Sequence, residues 1–154
     1  MLKHFSATCY VVATIKGEPK VLLHMHKKHN HWYGLGGHVE SDEDPVAAAI
    51  REAKEEAGID VTIFSPKKKL LRVKWASELI APALLFDQQI DARDGKPEHR
   101  HLDCIYFGTT PDPSKVRMNE EFRWCSKKDL DVMDLQEDTR YITKEAIKFF
   151  NRHS

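Results

Sequence analysis

No stretch of this 154-residue chain approaches the ~18–20 consecutive apolar side chains that a membrane-crossing helix needs. Neither sign of charge is in excess. The chain carries 24 Lys+Arg against 24 Asp+Glu, a formal net charge of zero, which argues against a general binder of nucleic acid or of membrane surfaces. Cysteine is scarce, and Cys9, Cys104 and Cys125 are odd in number and widely spaced, with no Cys-x-x-Cys. That fits reduced thiols in the cytoplasm, the expected location, better than a secreted disulfide framework. Met1 to Ser6 offers neither a long apolar core nor a small-residue cleavage site, so no signal peptide is expected. Repeats, low-complexity tracts and dividing linkers are also missing. A single domain over residues 1–154 is therefore expected, long enough to bury roughly 70% of its unfolded surface.

What is present alternates between strand and helix signals. Residues 6–15, rich in Thr, Tyr, Val and Ile, read as a strand; Lys16-Gly17-Glu18-Pro19 reads as a turn into a second strand over 20–27. A short aromatic piece, 32–35, runs into Gly36-Gly37. Asp44-Pro45 has the form of an N-cap and first helical residue, and Gly58 that of a left-handed terminator. Between them, Val46, Ile50, Ala53 and Ala57 make one apolar stripe. Further strands are expected at 61–64, 79–86, 102–109 and 121–125, and a closing helix at 139–151 buries Ile142, Ala146, Phe149 and Phe150. Residues 87–100, with Gly95, Pro97 and many charges, read as a surface loop. Strands interleaved with two helices indicate an α/β layered domain.

The central helix carries a second face. Glu52, Glu55 and Glu56 stand at i, i+3 and i+4, within about 100° of one another and turned away from the apolar stripe. Like charges at that spacing repel, and Arg51 and Lys54 offset them only in part. A hard cation would make the crowding favourable, and Mg2+ or Mn2+ takes several oxygen ligands while keeping water and phosphate in its shell. The glycines at 34, 36 and 37 let the backbone come close to a ligand, and the Gly36 carbonyl is a candidate metal ligand.

From Gly37 to Ile59 the residues resemble the Nudix box: Gly, five residues, Glu, seven residues, Arg-Glu, an aliphatic, one residue, Glu-Glu, one residue, Gly and an aliphatic. Those places are held by Gly37, Glu43, Arg51, Glu52, Ala53, Glu55, Glu56, Gly58 and Ile59. Ala53 is small for its slot, and Leu35 stands where many relatives have Pro before the Gly-Gly pair. The resemblance implies an α/β/α sandwich with a mixed central sheet that hydrolyses a diphosphate linkage with Mg2+ or Mn2+. It makes Glu52, Glu55 and Glu56 the metal carboxylates, with Arg51 orienting them by salt bridge, together with Glu43. Glu56 is the expected general base, with Glu98 and Glu120 as later-loop candidates, and Glu98 is also a candidate substrate-binding residue. The implied partner is a small phosphorylated substrate, a nucleotide derivative, with no nucleic acid and no membrane; homodimers are common among such proteins. Two other functions are open to this fold. A catalytically silent nucleotide-binding or regulatory module typically loses charges from the box, and here all are present. An isomerase of isoprenoid diphosphates needs an acid–base Cys at the site, for which only Cys104 is available.

Outside the box, His24, His26, His29, His31 and His38 cluster in sequence. Zinc is the weaker reading, since no Cys lies nearby; His38 or His31 bonding a substrate phosphate beside the glycines is the stronger. Trp32, Tyr33 and Trp75 could stack on a base, core packing being the default for two of them. Lys67, Lys68, Lys69, Arg72 and Lys74 read as a solvated strand end, and Cys104 as a buried, inert thiol. The zero net charge thus conceals segregation. Residues 40–60 hold eight acidic and two basic side chains, and residues 66–75 hold five basic and none acidic.

Overall fold

The computed structural model of the chain describes residues 3–27 and 29–153; Met1, Leu2, Lys28 and Ser154 lie outside them. The described elements run β1 (Lys3–Ile15), β2 (Glu18–His26), β3 (His31–Tyr33), β4 (Leu35–His38), α1 (Pro45–Ala57), β5 (Thr62–Ile63), β6 (Arg72–Val73), β7 (Ala76–Ser77), β8 (Leu84–Ile90), β9 (His99–Thr109), β10 (Phe122–Cys125), α2 (Lys127–Val132) and α3 (Glu137–His153). Among the described residues, eight strands form one mixed sheet in the order β10-β2-β1-β9-β5, with β3 on β2, β4 on β1 and β8 on β9; β6 and β7 form a separate hairpin.

The two-residue alternation of β1 and β9 builds both cores. Ala7, Cys9 and Val11, with Cys104 and Tyr106, face the side covered by α1, whereas Tyr10 and Val12, with Ile105 and Phe107, face α3. The result is the expected α/β/α sandwich on a mixed sheet. One edge of β1 is shared. Residues Val12–Ile15 pair with β2, and Ser6–Cys9 pair with β4, so the sheet splits between them. β1 and β9 run parallel, an arrangement that needs a long crossover.

Helix α1 forms as expected at both ends. Asp44 accepts from the Ala47 N–H at 2.9 Å, and Gly58 ends the helix at φ 75°. Its core stripe differs from the expected one: Ala48, Ala49, Ala53 and Ala57 are buried, whereas Ile50 is 40% exposed and Val46 only partly buried. Alanines leave room for the helix backbone to lie close against β1 and β4, which is why a small residue fits the aliphatic slot at Ala53. Leu35 is fully buried in the same layer.

Two boundaries are corrected. Residues 87–100 are not one loop: β8 continues to Ile90 and β9 begins at His99, leaving 91–98 as the connection. The expected strand at 79–86 shifts toward the C-terminus, to 84–90. In β8 the alternation is real, but it places Phe86, Gln88 and Ile90 inward, and a polar inward residue erases the hydrophobic period. α3 is longer than expected, beginning at Glu137.

Candidate functional site

A cleft of about 710 Å3 opens on the α3 side of the sheet, beside the split between β2 and β4. Ser6, Thr8 and Tyr10 of β1 form its floor with His101 and Asp103 of β9. Phe86 and Gln88 of β8 and Asp138 of α3 line it from one side, and Tyr33, Gly36, Gly37 and His38 from the other. Arg93, His26, His29 and His31 also line it.

Glu56 is the box carboxylate that lines this cleft. It reaches across from α1 because Gly36 turns its N–H away from the β1 ladder: Glu56 Oε1 accepts from Gly36 N at 2.7 Å, and His24 Nδ1 lies 3.1 Å from Oε2. Within a strand both polar groups of one residue lie on the same side, so the Gly36 carbonyl also leaves the ladder toward α1. Gly36 is required here, and Gly37 leaves room for the Glu52 carboxylate. A Cβ at Gly36 would lie 2.5 Å from the Ala7 carbonyl, and one at Gly37 would overlap the Glu52 carboxylate.

Arg51 gathers the remaining carboxylates. Its Nη2 donates to Glu43 Oε1 at 2.6 Å and to the His38 carbonyl at 3.1 Å, and its Nη1 reaches Glu52 Oε1 at 3.0 Å and Glu55 Oε2 at 3.2 Å. The loop 39–44 is thereby folded back onto the helix. Bonding to Glu43 raises the guanidinium further above its usual range and holds the Glu43 carboxyl below its own. Burial, reinforced by the charges of Glu56 and Glu55, keeps Glu52 above the usual carboxylate range against the pull of Arg51. Glu55 is the exposed member, at 59% against 16% for Glu52 and 21% for Glu56.

Among the described residues no three His, Cys, Asp or Glu side chains form a ready-made metal cage. The donor set nevertheless fits a hard divalent ion, since three carboxylates crowd one helix face and the like charges that raise Glu52 are what a cation would relieve.

Other expected site residues scatter. His38 and Tyr33 line the cleft; Trp32 packs against the α3-side core instead, and Trp75 is 85% exposed on the β6–β7 hairpin. Glu98 and Glu120 are exposed, Glu98 in the 91–98 connection. Glu121 is the later carboxylate that approaches the box: its Oε2 lies 3.8 Å from His24 Nε2, and Lys27 Nζ lies 2.5 Å from its Oε1. Bonding to Glu56 raises the His24 pKa. Cys104 is buried in the α1-side core, and burial raises its thiol pKa. Sequence reading also missed Arg117, whose Nη2 donates to the Glu55 carbonyl at 2.8 Å and caps the end of α1. It missed the pairing of His24 with Glu56 and the carboxylate of Asp103 as well. Only the facing of His24 and His26 on one strand hinted at the pairing.

A family model for the NUDIX domain matches residues 3–146. A hydrolase of the NUDIX family from Clostridium perfringens is 30% identical over 97% of this chain and 99% of its own, with a TM-score of 0.74. Ap4A hydrolase from C. elegans shares the fold at 22% identity, covering 97% of this chain and 99% of its own, with a TM-score of 0.65. So does the NUDIX domain of Shewanella oneidensis NrtR, solved with ADP ribose, at 14% identity over 97% and 90% of the two chains and a TM-score of 0.61. No curated protein matches the chain. The chain belongs to the Nudix family. Within it, the chain is a hydrolase of the pyrophosphohydrolase class, a family that generally works with divalent metal.

Proposed function

We propose that this enzyme hydrolyses the diphosphate linkage of a nucleoside diphosphate joined to a second moiety, or of a nucleoside triphosphate, by attack of water on phosphorus. The observation that carries the reading is Glu56, the one box carboxylate lining the cleft, fixed from two sides by the Gly36 N–H and His24. Glu52, Glu55, Glu56 and the Gly36 carbonyl would hold Mg2+ or Mn2+, which when bound neutralises the diphosphate and polarises its phosphorus–oxygen bonds. Arg51 keeps Glu52 and Glu55 turned toward one another. Glu56 takes the proton of the attacking water, with His24 fixing its second oxygen. Arg93, on the cleft wall, balances phosphate charge, and His38 beside the glycines hydrogen-bonds a phosphate oxygen. Tyr33 lies within reach of the organic part of the substrate; Trp32 and Glu98, expected to bind it, stand outside the cleft lining.

The chain acts as a single domain in the cytoplasm in this reading, a location suited to three free, buried thiols. No helix among the described residues is long and apolar enough to cross a membrane. A silent nucleotide-binding module is disfavoured by the complete set of box charges.

The test is Glu56→Gln, assayed with Mg2+ or Mn2+ on nucleotide sugars, dinucleotides and nucleoside triphosphates. Turnover should fall about 10²–10⁴-fold with an unchanged melting temperature. Full activity in the variant would remove Glu56 from the mechanism.

A further inference from the structure

Asp103 is a buried carboxylate, 5% exposed, on the floor of the cleft. Ser6 Oγ donates to its Oδ1 at 3.1 Å, and Thr8 Oγ1 lies 3.0 and 3.1 Å from its two oxygens. Two hydroxyls supply two protons, whereas a carboxylate offers about four acceptor sites. No Lys, Arg or His among the described residues pairs with it. A buried carboxylate short of donors and without a cation is costly to a fold, yet β1 and β9 place one on the floor of a cleft rather than in a dry core. Its neighbours across the sheet are Ser6 on β1 and Phe86 on β8. An acceptor therefore sits beside an aromatic ring.

Its distance from the box matters. Gly36, which holds Glu56, lies opposite Thr8, whereas Asp103 lies opposite Ser6 on the other side of β1, so two strand spacings and a two-residue offset, about 12 Å in all, separate the two backbone positions. Asp103 therefore stands away from the Gly36 anchor of Glu56, on the Phe86 side of the cleft, where the part of the substrate beyond the diphosphate would lie.

We propose that Asp103 is a binding residue that selects substrates whose non-phosphate part presents hydrogen-bond donors, either the amino and N–H edge of a base or the hydroxyls of a sugar. The inference rests on the reading of this cleft as the substrate site. Ser6 and Thr8 saturate the inner acceptor sites and aim the others at the ligand; Phe86 supplies the adjoining apolar face. Acceptor-only chemistry rejects a group that brings no donor, because the carboxylate would stay unpaired in the complex.

The test compares wild type with Asp103→Asn, which keeps the shape and lets the hydroxyls rotate to accept. Two pairs of nucleoside diphosphate compounds serve as probes: one differs only by an exocyclic amine, the other only by the sugar hydroxyls. Binding is measured by calorimetry and turnover by phosphate release. Wild type should prefer the donor-bearing member of at least one pair by about 10–100-fold, and the variant should lose that preference. Which pair discriminates identifies the base or the sugar as the group at Asp103. The melting temperature should hold or rise, since a buried charge is removed. Equal binding within both pairs, no binding of any probe, or a preference unchanged in the variant would each overturn the inference. Loss of stability with the preference intact would make Asp103 a structural tie between β1 and β9. Preferential binding without any hydrolysis would instead defeat the proposed function and leave the role of Asp103 standing.

Discussion

At the scale of single residues, Arg51 shows how one side chain can organise several others. Its fork meets Glu43, Glu52, Glu55 and the His38 carbonyl at once, which a point charge on a flexible stem cannot do. Arg51→Lys is expected to reduce kcat/KM at least 10-fold, because Glu52 and Glu55 lose their common anchor. The melting temperature should move only a few degrees, as partly exposed ion pairs contribute little to stability. A kinetic assay beside a thermal melt checks both halves; unchanged kinetics would show that the carboxylates orient themselves. The residues of this network were legible in the sequence as box positions. The pairing of His24 with Glu56 was not, because nothing in a one-dimensional pattern brings position 24 to position 56.

Among the elements, α1 is the part most fully determined by local sequence, from its Asp44 cap to its Gly58 terminator. Gly58 sits at φ 75°, and a Cβ there would lie 2.9 Å from Arg117 Nε. Gly58→Ala should therefore cost about 1–2 kcal/mol, seen as a lower midpoint in chemical unfolding; an unchanged midpoint would mean that the cap relaxes without strain. Strands β8 and β9 are the contrasting case. Gln88, His101 and Asp103 point inward because the interior they meet is a polar cleft. The alternation that marks a strand in a dry core is absent from the letters, and a stretch of strand reads as loop. The error and the site share one cause: where a sheet faces water and ligand, its inner residues are polar.

For the whole molecule, the histidines set a pH response. His38 Nε2 and His99 Nε2 lie 3.0 and 3.1 Å from His101 Nε2, with the His4 ring beside them. Burial, with the charges of His38, His99 and His4, pushes His101 from 6.5 down to about 4. The folded chain therefore refuses a proton that the unfolded chain accepts. The stability this group contributes is full above about pH 6.5 and is lost as the pH falls toward 4. His38, also lowered, acts in the same sense. His24, Glu52 and Asp103 are raised and act in the opposite one, so a difference measurement is needed. Between about pH 7.5 and about pH 5, the melting temperature of His101→Gln should fall less than that of wild type. Parallel curves would dismiss the cluster as a source of acid sensitivity.

The sequence by itself determined the helix that carries the carboxylates, its caps, the glycines before it and the family, since each depends on neighbours a few residues apart. Tertiary structure alone decided which carboxylate faces the cleft, that alanines and not Ile50 form the buried stripe of α1, and that Ser6, Thr8, Phe86 and Asp103 stand side by side. The last of these outcomes depends on the parallel pairing of β1 with β9 across some 95 residues. Contacts closed over such a distance leave no period in the chain, because their partners are chosen by packing rather than by spacing.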